Sequence, residues 1–124
     1  MLAAILQSGD PERLYTALSL LVSAAAEGRP ARGLVTFGAL GPLLADELPE
    51  APPDVVPGER EPFARTLTEL RAAAAELPDC HIWACAAAVA ATGADPARVE
   101  ARLDGVMSTP RFLREVAGAQ LVVV

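Results

Sequence analysis

Lysine is absent from this chain: all ten basic residues are arginine, set against sixteen acidic ones for a net charge of −6. With a pI near 4.7, such a surface repels a phosphate backbone, so nucleic acid is excluded as a partner. Arg13, Arg29, Arg60, Arg71, Arg98 and Arg111 are interleaved with acidic residues. They form no basic stripe and read as solvated, salt-bridged helix surface. Aromatic residues are scarce, at 4% against 52% apolar, so the core must be built from Ala, Val and Leu, which bury little area per residue. Two cysteines, Cys80 and Cys85, cannot make a disulfide framework and suit reduced thiols in a cytosol. With a single histidine, His81, they cannot close a zinc site. Gly33 and Gly38 do not form a dinucleotide fingerprint, and a phosphate-binding loop would need the missing lysine. No metal and no cofactor are therefore expected. Met1 to Gln7 is apolar but carries no basic leader and reaches Asp10 too soon for a signal or a span. A cytoplasmic protein with no membrane contact is the expectation.

What is present fits one domain, residues 1–124, a length at which single domains cluster. The mean hydropathy of +0.34 is high for so small a chain, whose surface cannot hide that many aliphatic groups. A homo-oligomer is expected.

Short apolar runs at Leu2–Leu6, Gly33–Phe37, Cys80–Ala86 and Gln120–Val124 read as buried strands, and a fifth is expected around Val106. Between them lie helical patterns. Asp10-Pro11 offers an N-cap followed by a proline where no N–H is needed; Asp95-Pro96 and Thr109-Pro110 repeat the device. Leu14, Leu18, Leu21, Val22 and Ala25 form one stripe that Gly28 ends. A second helix is expected over Glu59–Leu77, and an Ala-rich one over Ala87–Thr92. Gly38–Leu44 reads as a Gly-bounded turn holding at most a short helix. Ala45–Gly58 holds four prolines and the acidic Asp46, Glu47, Glu50 and Asp54, so it reads as a loop, either a plain or disordered connection or a flap over a site.

Strands alternating with amphipathic helices imply parallel βαβ units and an α/β fold, three-layer α/β/α, with a parallel sheet of four to five strands. Ligands in such sheets bind beyond the carboxyl ends of the strands, where strand order reverses. That rule directs attention to Ser8 and Gly38 as ligand-binding residues and to Cys85 as the reactive one. Cys85 precedes helix-forming alanines, so its sulfur would face the first free N–H groups of a helix, which favour a thiolate able to carry sulfane sulfur. The plainer reading is a buried, inert cysteine in an Ala-rich core. Cys80, five residues earlier, would lie on the opposite strand face roughly 16 Å away at about 3.3 Å per residue. No bridge spans that. Cys80 reads as structural, His81 as a partly exposed histidine at the far strand end, and Trp83 as core, with an aromatic ligand platform as its second reading.

The order of features is similar to that of the DsrE/DsrF-like family, which includes TusD-like sulfur-relay subunits. The resemblance runs nearly end to end, through Gln7-Ser8-Gly9-Asp10-Pro11-Glu12-Arg13, Leu34-Val35-Thr36-Phe37-Gly38 with Gly41–Leu44, Ile82-Trp83-Ala84-Cys85-Ala86, Leu103-Asp104-Gly105-Val106 and Thr109-Pro110-Arg111-Phe112-Leu113. It implies a Rossmann-like three-layer domain, assembly into dimers, trimers or hexamers, and a cysteine, here Cys85, that receives sulfur as a persulfide. The chain departs from that pattern in its Pro-rich 45–58 segment and in having no basic residue beside Cys85. The expected function is then a sulfur carrier or sulfurtransferase-like protein working with sulfur donor and acceptor proteins. The alternative is a non-catalytic oligomer that binds a small ligand or partner protein.

Overall fold

The computed structural model describes all residues, Met1–Val124. Five strands, β1 (Leu2–Leu6), β2 (Ala31–Val35), β3 (Cys80–Cys85), β4 (Val106–Met107) and β5 (Gln120–Val123), form one sheet in the order β4-β3-β2-β1-β5. Every pairing is parallel. The helices are α1 (Pro11–Ala26), α2 (Phe37–Leu44), α3 (Pro57–Glu76), α4 (Ala86–Thr92), α5 (Pro96–Arg102) and α6 (Thr109–Glu115). None is long and apolar enough to cross a membrane. The fold is a three-layer α/β fold, as expected, and the fifth strand lies where it was sought.

Local chemistry explains most boundaries. The Asp10 carboxylate accepts from Arg13 N and the Asp95 carboxylate from Ala97 N, while Ser108, one residue before the Thr109-Pro110 pair, accepts from Arg111 N. Each cap is followed by a proline in the first turn. The second strand begins at Ala31 and stops at Val35, two residues earlier at both ends than its apolar run suggested. Phe37 already belongs to α2, with extended Thr36 at its cap. α3 starts at Pro57 rather than Glu59 for the same reason the other helices start at a proline.

The side chains of the three inner strands alternate between two unequal coverings. Ala4, Gly33 and Ile82 share one face through the registers Ala4 with Gly33 and Gly33 with Ile82. A Cβ built on Gly33 would sit 3.2 Å from Leu21 Cδ1 of α1, so α1 packs on that face, and α3 packs beside α1 with Tyr15 stacked on Phe63 at 5.6 Å. Ile82 also shares a small cleft with Leu43 of α2, Ala74 of α3 and Arg102 of α5. This side carries α1 to α5. The other face shows Ile5, Leu34, Trp83 and Cys85 and is covered only by α6: Phe112 meets Trp83 edge-on at 6.4 Å, and Thr109 lies beside Cys85. Right-handed crossovers explain the imbalance. The chain steps from β1 to β4 in one direction, placing every intervening helix on one side, and reverses only to reach β5.

The Pro-rich segment is strapped rather than loose. Arg60 donates to the carbonyls of Pro52 and Ala51, Arg71 to those of Ala45 and Asp46, and Arg98 to that of Leu44. Arg98 and Arg102 hold the Asp46 carboxyl below its ordinary range, the Arg98 charge most strongly.

Candidate ligand crevice

The reversal of strand order falls between β1 and β5. A crevice of about 500 Å³ opens there, lined by Gln7, Ser8, Gly9, Arg13, Gly38 and the last two residues, Val123 and Val124. Its walls follow from the chain. β1 runs out at Leu6, whose carbonyl accepts from Thr36 N at 2.9 Å, and Gln7 N donates to Val124 O. Ser8 then turns the chain by accepting from Asp10 N through its hydroxyl at 3.1 Å. This delivers Asp10 to the start of α1 and Arg13 to the rim.

Gly9 and Gly38 allow the two loops to meet backbone to backbone. A Cβ on Gly9 would lie 2.4 Å from Gly38 O, and one on Gly38 would lie 3.0 Å from Gln7 O. Pro42, inside α2, has no N–H to give to Gly38 O four residues earlier, so that carbonyl lacks its helical partner. Arg13 takes part in none of the ion pairs and has the only charged side chain in the lining.

The fold thus brings Ser8 and Gly38 together, as the strand-end rule anticipated, and leaves Cys85 elsewhere. Cys85 ends β3, two strands from β1, or roughly 10 Å at about 4.8 Å per strand. It is the N-cap residue of α4 and only 4% exposed, with Sγ 3.9 Å from Thr109 Oγ1 of α6. It does not line the crevice. A second cleft of about 620 Å³, between α2 and the α4–α5 turn, shares Gly38 with the first and is lined by Phe37, Leu40, Thr92 and Arg98 among others. The 45–58 segment reaches that cleft through Ala45 and Asp46 but not the crevice at Ser8.

Of the remaining singled-out residues, Cys80 and His81 sit at the opposite end of the sheet and Trp83 lies between them and Cys85. Cys80 is buried on the α1 side, its thiol pushed up to about 11 by burial first and then by the charges of Asp104 and Asp79, against an opposing effect of Arg32. Arg32 pairs with Asp79 at 2.5 Å and donates to its carbonyl, holding Asp79 in a turn at φ +60° that aspartate tolerates better than most residues. His81 stacks on Trp83 at 5.9 Å, with Nδ1 3.4 Å from Asp104 Oδ1. Neither reaches Cys85. Trp83 is half-buried, packed against Phe112. Sequence reasoning missed Arg13, Val123 and Val124 as crevice residues, because only the strand order makes β5 the neighbour of β1.

The class defined by these features is a small three-layer α/β protein with an all-parallel sheet and a switch-point crevice. No protein-family model matches the chain, and no curated protein matches it.

Proposed function

We propose that this chain is a small binding protein that holds an anionic small ligand in the crevice between β1 and β5. The observation that carries the reading is the coincidence of a cavity with the one reversal of strand order, where parallel sheets take their ligands. The single charged side chain in the lining is the Arg13 guanidinium, free of intramolecular ion pairs. An arginine can grip a carboxylate or phosphate through two parallel hydrogen bonds. Val123 and Val124 would cover the apolar part of the ligand. No second ionisable side chain stands in the crevice to move a proton, which favours binding over catalysis. In this reading the chain is a non-catalytic homo-oligomer, as its apolar surplus suggests.

Calorimetric titration with inorganic phosphate, a nucleoside monophosphate and the matching neutral nucleoside tests it. Binding of an anionic probe and not of the neutral one is expected, with Arg13→Ala weakening it about tenfold or more, as loss of a charged hydrogen bond does. No binding of either anion, or binding indifferent to Arg13→Ala, overturns it.

A second reading keeps the resemblance to DsrE-like sulfur carriers. It is favoured by the place of Cys85 at the carboxyl end of β3, where the resemblance puts the persulfide cysteine, although its sulfur makes no cap hydrogen bond to α4 and lies beside Thr109 of α6 instead. The Cys85 thiolate would attack the terminal sulfur of a persulfide R–S–SH, breaking its S–S bond, forming Cys85–S–SH and releasing the thiolate R–S⁻, which takes a proton from water, to the donor side. Because Cys85 is covered by α6, this requires α6 to move aside for the donor and acceptor proteins. Mass spectrometry after incubation with a small persulfide distinguishes it: wild type must gain one sulfur that Cys85→Ser does not. Equal gain by both, or none by either, removes the reading.

A further inference from the structure

β5 forms one border of the sheet, and its outer side is open. Its inner hydrogen bonds use alternate residues: Gln120 N donates to Met1 O, Val124 N to Ile5 O, and Val124 O accepts from Gln7 N. In a parallel ladder the intervening residues turn their main-chain groups the other way, so the N–H and C=O of both Leu121 and Val123 point outward. The same two residues expose 44% and 60% of themselves on the face that α6 leaves thinly covered. Several usual guards of an edge strand are missing: the four-residue β5 holds no charged side chain, no proline and no bulge. From Val116 to Val124 no side chain is ionisable, so two copies of a chain of net charge −6 can meet here without repulsion.

We infer that a second copy of this chain pairs its β5 antiparallel to the first, across a two-fold axis at Val122. This concerns the oligomer alone and stands whatever the crevice binds. The register follows from the outward groups. With Val122 on the axis, Leu121 of one copy lies opposite Val123 of the other, each pair exchanges both of its hydrogen bonds, and every outward group of these two residues is satisfied. The same register sets Leu121 against Val123 as apolar cross-strand pairs on one face. On the other face, Leu20 of α1, 38% exposed, lies about 140° round the helix from Tyr15, which packs on α3. It therefore flanks the β5 side of α1. Edge pairing of this length buries less than the ~800 Å² per partner of a standard stable interface, so the dimer is reversible and concentration-dependent.

Sedimentation velocity from low micromolar to near-millimolar protein tests the pairing. Wild type shifts from monomer to dimer as concentration rises. The Leu121→Lys/Val123→Lys variant stays monomeric, because like charges face each other across the axis. The Leu121→Lys/Val123→Glu variant dimerises, and added salt weakens it, because only in this register does each introduced lysine face the partner's introduced glutamate. Val123→Pro removes an outward N–H and no intrachain bond, so it stays monomeric with an unchanged circular-dichroism spectrum and serves if the charged variants do not fold. Wild type monomeric throughout, a folded Lys/Lys or Val123→Pro variant that dimerises like wild type, or a folded Lys/Glu variant that remains monomeric each overturns the inference.

Discussion

The two faces of this sheet are made of similar residues and have different fates. One lies under α1 to α5, where Leu14, Leu18 and Leu21 are fully covered; the other has only the seven residues of α6, anchored by Phe112. Apolar alternation does not distinguish them. The direction of the crossovers does, since each step from β1 to β4 must be right-handed and so falls on the same side. The single reversal to β5 has three consequences at once: the thin layer, the crevice beside β1, and an unguarded edge. The lesson is that one topological choice, rather than any motif, concentrates the open chemistry of the molecule in one region.

The sharpest test of that contrast is Phe112→Ala. If α6 is what seals the thin face, the loss should be about 3–5 kcal/mol, as for other buried aromatic truncations, and comparable to Leu18→Ala on the thick face. Leu113→Ala, at a position 50% exposed on the same helix, should cost less than about 0.5 kcal/mol. Urea unfolding measures all three, and equal effects of Phe112→Ala and Leu113→Ala would mean that α6 does not dock as described.

Next in size is Gly9→Ala. Its Cβ would meet Gly38 O at 2.4 Å, and backbone cannot swing aside as a side chain can, so about 1–3 kcal/mol of overpacking strain is expected. Asp10→Ala, which removes the α1 cap and leaves the crevice loops in contact, should cost about 1 kcal/mol. A cap loss exceeding the glycine substitution would break the claim that the loop contact is the tighter of the two.

The two cysteines turn the comparison into a labelling experiment. Cys85 lies under α6 and Cys80 under the thick layer, so native alkylation should reach Cys85 first, through local opening of α6, and Phe112→Ala should speed only that reaction. Cys80 should label at the rate of global unfolding. Its raised thiol pKa also predicts a pH effect. The neutral thiol is favoured in the folded state, so its contribution is fully present below the ordinary value near 9.0 and is lost as pH rises toward about 11. Unfolding midpoints across that window should fall more in wild type than in Cys80→Ala.

Much of the architecture was legible because its signals are local. Asp10-Pro11 and Asp95-Pro96 mark helix starts by cap and ring geometry, and Leu2–Leu6 is too short and apolar for anything but an inner strand. α2 was harder, since Gly38, Gly41 and Pro42 argue against a helix that burial of Ala39, Leu40, Leu43 and Leu44 nonetheless stabilises. That Ser8 and Gly38 border a crevice was legible because both follow closely on strand ends. Arg13 and Val123 were not, because their adjacency depends on which strand borders β1.

The order of residues alone determined the α/β class, the Asp10 and Asp95 helix caps, the net acidic charge, and the separation of Cys80 from Cys85, all of which follow from interactions within a few positions or from summed charge. Tertiary structure alone decided that β5 lies against β1, that α6 closes over Cys85 and that one edge stays open. These are contacts between residues up to a whole chain length apart. Their partners are set by crossover handedness and packing, which no local pattern encodes.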